Sequence, residues 1–448
     1  MNISINIGVN QGVININSVE FTEEFTRNTS RSAESTRKTG NNEKNVVWEQ
    51  AEEKRESITP AYTPSYGNVG KSGIVPQKGN AVVVGDKKIN NSLLPPPEAE
   101  AIAEAEEKEE IAKQILEEIK EIYTPKKRDS VFLSDIYAKL YNEYERGKGG
   151  SYYINKSERM YYCGSFLVYE INEKGEKRLI KANSCHVRLC PMCMWRRALK
   201  AYREMCVVYD YVQKETESSK FLFLTVTQRN VEGEKLGKEL DRILYGFKGL
   251  MQRKEIKKFC LGFVRSLEIT YNKKTDTYHP HIHILIHTTN KLYAGRNYLS
   301  KKDYIRLWRY LLCLDYDPNI DIRRFKPKDV NKVGRELAEI CKYSVKPSDY
   351  IYVSDEKLTK KVTEVLDKYI AGRRLLSYGG TIRKARKKLL FSDEITESDD
   401  IMAVGDVQAD EQGYIELYKW HFGEEQYKRL SGEERESMLK FVENAKKR

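Results

Sequence analysis

The segment His279-Pro280-His281-Ile282-His283-Ile284-Leu285-Ile286-His287 constrains the fold more than any other stretch of the chain. Four of the six histidines fall within these nine positions. Alternation is the repeat of a β-strand, so His281, His283 and Leu285 share one face while Ile282, Ile284 and Ile286 share the other. Two imidazoles side by side on a strand form a rigid platform for one metal ion. An edge strand whose outer face happens to carry histidines is the plainer alternative, and it fits poorly in so His-poor a chain.

Residues 263–270 and the histidine run read as two strands joined by a polar loop containing Asn272, Lys273 and Asp276. On such a hairpin Glu268 can face the same side as His281 and His283, leaving positions on the ion open for a phosphate. Nitrogen donors suit zinc or manganese and oxygen donors suit magnesium or manganese, so the residues leave the ion open. Downstream, Glu339 and Tyr343 lie four residues apart, one above the other on a predicted helix, with Glu336 a turn before and Lys346 a turn after. A tyrosine of ordinary pKa, about 10, is a poor nucleophile. Beside a metal-bound phosphate and a lysine its phenolate becomes accessible and can form a phosphotyrosine, while Glu339 can take a proton from an attacking group. The chain has 30 tyrosines, so this pair gains weight only beside the histidines.

The cysteines form a second constellation. Cys190-x-x-Cys193 has the spacing of a zinc knuckle, and Cys163 and Cys185 can complete a four-thiolate Zn2+ site, with His186 a competing fourth ligand. No apolar run approaches the roughly 18 residues that span a bilayer, and the first ten residues do not resemble a secretory signal. The expected setting is therefore cytoplasmic, away from membranes, where thiols stay reduced or bind zinc. Cys206, Cys260, Cys313 and Cys341 sit in apolar contexts and read as core residues.

Charge is unevenly spread. Residues 1–123 hold 14 Lys and Arg against 20 Asp and Glu, while the remainder holds 64 against 46. A basic body behind an acidic front points to a nucleic-acid partner. Four basic clusters carry aromatics nearby: Trp195-Arg196-Arg197, residues 323–328, Arg373-Arg374, and residues 383–388. Such groups neutralise phosphates, and the aromatics can stack on unpaired bases.

Five regions are expected: a mostly disordered extension at 1–95, an acidic helical segment at 96–127, a zinc-binding and helical region at 128–215, a catalytic domain at 216–392, and a linker with a terminal helix at 393–448. The extension is rich in Asn, Ser, Thr, Gly and Glu without sustained periodicity. The stripe Ile111, Ile115, Ile119, Ile122 predicts the first helix, up to about residue 123. Further helices are predicted near 134–146, 234–258, 301–313 and 330–346, and a strand near 221–227.

The order of these motifs resembles a known family. Cys163 is followed by Cys185-x4-Cys190-Pro-x-Cys193-x-Trp195-Arg-Arg and by Phe221-Leu-Phe-Leu-Thr-Val-Thr. Then come Gly262-x-x-Arg265-x-x-Glu268-x-Thr270, His279-Pro280-His281-x-His283, Glu339-x-x-Lys342-Tyr343-x-x-Lys346, and Arg373 to Gly380. Over roughly residues 150–390 this is similar to the rolling-circle replication initiators of small Gram-positive plasmids, within the HUH endonucleases. The resemblance implies an α+β fold with a ferredoxin- or RRM-like core, a central antiparallel sheet with the histidines on a middle strand and helices packed against it. It implies nicking of one strand at a replication origin without ATP. Tyr343 would be the nucleophile, joined to the 5′ phosphate, and the free 3′ hydroxyl would prime synthesis. His281 and His283 would hold Mg2+ or Mn2+, with Glu268 or its competitor His279 as third ligand. Glu339 would activate water for the terminating cleavage. Arg196, Arg197, Lys342, Lys346, Arg373 and Arg374 are the candidate DNA contacts. The partners implied are single-stranded or extruded origin DNA, a host helicase and a polymerase. Two rivals remain on the residues alone: an alternating-histidine nucleotidyl hydrolase or transferase, and a non-catalytic zinc-stabilised DNA-binding protein.

Overall fold

The computed structural model describes residues 2–10, 13–22, 82–84, 87–89, 96–216, 219–289, 292, 298–324, 330–392 and 413–446. The chain divides into two compact units, Met1–Lys108 and Glu109–Arg448.

In the first unit, β1 (Asn2–Asn10) pairs antiparallel with β2 (Val13–Thr22), and β3 (Val82–Val84) with β4 (Lys87–Ile89). In β1, Ile3, Ile5, Ile7 and Val9 alternate with polar or small residues. The rest of 1–95 lies outside the described residues.

Helix α1 (Pro96–Glu118) runs through one π-helical turn, Ile119–Tyr123, into α2 (Thr124–Tyr144). Ile115, Ile119 and Tyr123 are buried, as the apolar stripe requires. After α3 (Tyr152–Tyr161), strands β5 (Phe166–Ile171) and β6 (Lys177–Ala182) form a hairpin, and α4 (Pro191–Glu215) follows.

The central sheet region is built on β7 (Lys220–Thr227), α5 (Gly233–Gln252), the short α6 (Lys254–Lys257), β8 (Cys260–Asn272), β9 (Thr277–Thr288), α7 (Lys301–Leu311), β10 (Ile320–Arg324), α8 (Val330–Cys341), α9 (Glu356–Ile370), β11 (Leu376–Gly379) and α10 (Gly380–Phe391). The five strands form an antiparallel sheet in the order β10-β7-β9-β8-β11, so the histidine strand is central. Its isoleucine face buries Ile282, Ile284, Ile286, Leu224 and Leu267 in one core with Leu236 and Leu240 of α5, Trp308 of α7 and Val362 and Leu366 of α9. Each such side chain contributes about 1.5–3 kcal/mol on leaving water. The histidine face is covered by α4, α8 and α10, with Phe221 of β7 tilted on Tyr209 of α4 and Cys341 Sγ donating to Ala201 O. The fold is therefore α+β, as expected from the sequence.

Helix α8 corrects the predicted helix over 330–346, because it stops at Cys341. β8 extends beyond the end of β11, and its open edge takes the chain: Ile269 N donates to Ser344 O at 2.8 Å. A backbone that pairs with a sheet edge cannot continue a helix, so Tyr343 does not stack over Glu339 on a helical face. A 3-10 turn, Pro347–Asp349, follows.

The tail is likewise not a linker followed by a lone helix. β12 (Tyr414–His421) pairs with β5, and β13 (Gln426–Arg429) with β12, giving a four-stranded sheet in the order β13-β12-β5-β6. One face joins the main core through Tyr418, Trp420 and Tyr427. The other buries Val168, Leu417 and Leu430 beneath Met438 and Leu439 of α11 (Gly432–Lys446). Residues 393–412, including the acidic stretch, lie outside the described residues.

Candidate active site

The register of the central sheet sets the site. β9 places His281 opposite Glu268 of β8 and Thr227 of β7, and His283 opposite Ser266 and Thr225. Glu268 Oε2 lies 3.1 Å from His281 Nε2 and 2.9 Å from His283 Nε2. These three ligand atoms lie within 4.8 Å of one another, and all three residues are buried. The far ring nitrogens are held from behind. His281 Nδ1 donates to His279 O at 3.2 Å, and His283 Nδ1 is 2.9 Å from Thr225 Oγ1. A proton fixed on Nδ1 leaves Nε2 with its lone pair aimed inward, which is what a metal ligand needs. His279 points elsewhere, with Nδ1 2.9 Å from Asn230 Oδ1, so the geometry groups Glu268 and not His279 with the other two histidines.

Two more charges complete the pocket. Lys342 Nζ is 2.7 Å from Glu268 Oε2 and 2.5 Å from Glu339 Oε1, and Glu339 Oε1 is 3.6 Å from His283 Nε2. Burial pushes the Glu268 carboxyl up, but Lys342 and the two imidazoles outweigh it and hold the group well below the usual carboxylate range. Glu339 is shifted down in the same way, by Lys342 and His283 against its burial. Burial, with Lys342 adding to it, holds the His283 imidazole below its ordinary value and so neutral. Two imidazoles and a carboxylate make a donor set for a divalent ion with open positions, which manganese satisfies on both its nitrogen and its oxygen preferences.

Tyr343 lines a cavity of about 430 Å³ whose walls also include Ser266 and Lys342. Burial pushes its phenol up. Tyr350 is fully buried and donates to Leu189 O at 2.6 Å, a structural role.

The second cluster is Cys163, Cys185, Cys190 and Cys193, all buried. The Sγ atoms of 163 and 193 are 3.4 Å apart, those of 185 and 193 3.6 Å, and those of 190 and 163 3.6 Å. Zinc–sulfur bonds of about 2.3 Å in a tetrahedron put the sulfurs roughly 3.8 Å apart, so the cluster needs to open only slightly around an ion. His186 is exposed and outside this group.

Residues 176–428 match the family described as "Replication protein". The chain belongs to that family. It is 35% identical over 332 residues to "Protein rep" of Bacillus amyloliquefaciens, covering 68% of this chain and 94% of the relative. It is 37% identical over 285 residues to "Protein rep" of a Bacillus species, covering 60% and 91%. A third "Protein rep", from Streptococcus pneumoniae serotype 2, is 36% identical over 251 residues, covering 56% and 76%. No solved structure matches. The role of this chain is thus in DNA replication, as an initiator of the Rep type.

Among the expected DNA contacts of this replication protein, Arg196 is corrected by its surroundings. It is buried, with its guanidinium over the Trp195 ring and Nη1 3.4 Å from Tyr123 Oη, so it packs the core. Arg373 is paired with Asp241. Arg197 donates to His186 O at 2.9 Å and lines the cavity with Arg374. Lys342 is held by the two carboxylates, and Lys346 precedes the 3-10 turn.

Three residues escaped the sequence reading. Lys127 is fully buried, donating to Tyr161 O at 2.6 Å and Cys163 O at 2.9 Å. Burial lowers its pKa to about 8 against the pull of the neighbouring cysteine sulfurs. Asp349 is pushed up to about 6, first by burial and further by the charge of Glu268. Arg188 lines the cavity with no motif to mark it. None carried a spacing signal, because each is brought in from another element.

Replacing both imidazoles tests the cation pocket directly. His281→Ala with His283→Ala is expected to weaken Mn2+ binding by about 100-fold or more, since two of three donors are lost. Calorimetric titration with Mn2+ reads this, and unchanged affinity would remove the site.

Proposed function

We propose that this replication protein nicks one strand of origin DNA, single-stranded or extruded, and starts rolling-circle replication. The Tyr343 oxygen attacks the scissile phosphorus, the bond from phosphorus to the 3′ oxygen breaks, and a 5′-phosphotyrosine forms. The proton lost by the phenol is balanced by the one gained at the 3′ hydroxyl, which then primes synthesis. His281, His283 and Glu268 hold a divalent ion, Mn2+ or Mg2+. Such an ion polarises the phosphodiester and stabilises charge on its oxygens. Lys342 keeps Glu268 ionised and adds positive charge beside the phosphate. Glu339, ionised and 3.6 Å from His283, accepts a proton from water in the terminating cleavage. Zn2+ in the four-cysteine cluster holds the fold. Strand separation ahead of the nick falls to a host helicase and synthesis to a host polymerase, which places the protein in the cytoplasm.

One observation carries this reading: Glu268, His281 and His283 converge on one point, with Glu339 and Lys342 beside it, in a member of the replication protein family. The test uses labelled single-stranded oligonucleotides tiled across the DNA flanking the coding region, incubated with protein and Mn2+. A denaturant-stable protein–DNA adduct at one sequence is expected. Binding without adduct or cleavage at any sequence would overturn the proposal.

A further inference from the structure

Beyond Tyr343 and Lys342 on its wall, the cavity has no part in the proposed nicking chemistry. It lies between the first half of α4 and the strand of chain entering β11. Its walls are apolar and small on one side, with Met194, Ala198 and Ala201, and apolar opposite, with Leu375 and Leu376. Four arginines line it as well: Arg188, Arg197, Arg373 and Arg374. Arg188, Arg197 and Arg374 form no ion pair among the described residues, whereas Asp241 neutralises Arg373. Burial and the charge of Arg197 both disfavour the Arg188 cation, so an anion at this point relieves a repulsion already built into the fold. The volume, about 430 Å³, is that of a small-molecule site.

We propose that this cavity receives one unstacked nucleotide of the substrate strand, the one whose 5′ phosphate becomes joined to Tyr343. The proposal rests on the nicking reading and deepens it. The base enters between the apolar walls, where its π-face replaces contacts with neighbouring bases. The flanking phosphates meet Arg188 and Arg374, which no carboxylate competes for. Ser266 and Lys342 belong to the cavity wall, and Lys342 also contacts Glu268 of the cation pocket. A strand running from the cation pocket into the cavity therefore passes Tyr343. Seating the downstream base fixes the phosphate next to the phenol before any bond changes.

The experiment scans a nick-site oligonucleotide with single abasic positions and measures binding by fluorescence anisotropy. In the unmodified protein one position, immediately 3′ of the nick, is expected to lose about tenfold in affinity when its base is removed. Ala201→Leu fills the cavity. It is expected to weaken the intact oligonucleotide about tenfold and to make that abasic position cost nothing more. Ala201→Ser leaves the cavity open and should behave as the unmodified protein. Arg188→Ala, which leaves the apolar walls intact, is expected to lower the salt dependence of binding by about one counterion. No abasic position that is sensitive in the parent and insensitive in Ala201→Leu would overturn the proposal, as would Ala201→Leu binding like the parent. The abasic pattern without any adduct would sink the nicking reading and leave the nucleotide site standing.

Discussion

Tyr343→Phe is expected to abolish the covalent protein–DNA adduct, cutting its rate by a factor on the order of 10⁴ or more, as removal of a catalytic nucleophile does. The substitution removes one oxygen and keeps the ring. The residue is half-buried at the edge of the main core, so stability and oligonucleotide affinity should stay close to those of the parent. A denaturing gel reads the adduct and a thermal melt reads the fold. Glu339→Gln separates the two steps of the reaction. It keeps the nucleophile and removes the base for water, so the adduct should form and then accumulate instead of turning over. If Tyr343→Phe still forms adduct at the parental rate, the nucleophile lies elsewhere. An acid-labile linkage would then point to a histidine of the β9 strand.

Cys190→Ser is expected to cost the fold more than any other single change discussed here, on the order of 5 kcal/mol or more. Structural zinc sites contribute apparent free energies of about 10–16 kcal/mol in small zinc domains, and part of that is lost with one of four thiolates. Cys190 is fully buried and caps the start of α4, which packs on the histidine face of the sheet. A loosened knuckle therefore reaches the histidine strand's sheet through the helix. Metal analysis after dialysis should find about one tightly held zinc per chain in the parent and none in the variant. Chelation should reproduce the loss of structure seen by circular dichroism. A zinc-free parent that melts normally would contradict the assignment. Lys127, whose ammonium is buried beside the cluster, would then be left without the negative charge that four thiolates on one zinc supply.

What could be seen in the sequence was local. The alternation at His281–His283 and the Cys190-x-x-Cys193 spacing each depend on a few adjacent positions, and both clusters form as those spacings imply. Glu268 joined them through a hairpin register that a short polar loop fixes. What could not be seen was set by distant partners. Helix α8 ends early because the edge of β8, some seventy residues upstream in sequence, claims the backbone at Ser344. The tail looked detached because nothing in its own residues names β5 as its neighbour. Arg196 looked like a surface cation because a sequence shows charge and hides burial.

The pairing of β12 with β5 has a consequence for how the molecule is made. A ribosome delivers β5, β6 and the cysteine cluster before the whole central sheet, and β12 and β13 only after it. Until β12 emerges β5 offers an open edge, and Leu167, Tyr169 and Ile171 lack their final cover. A chain that stopped short of β12 would keep the central five-stranded sheet and leave that flank of β5 exposed.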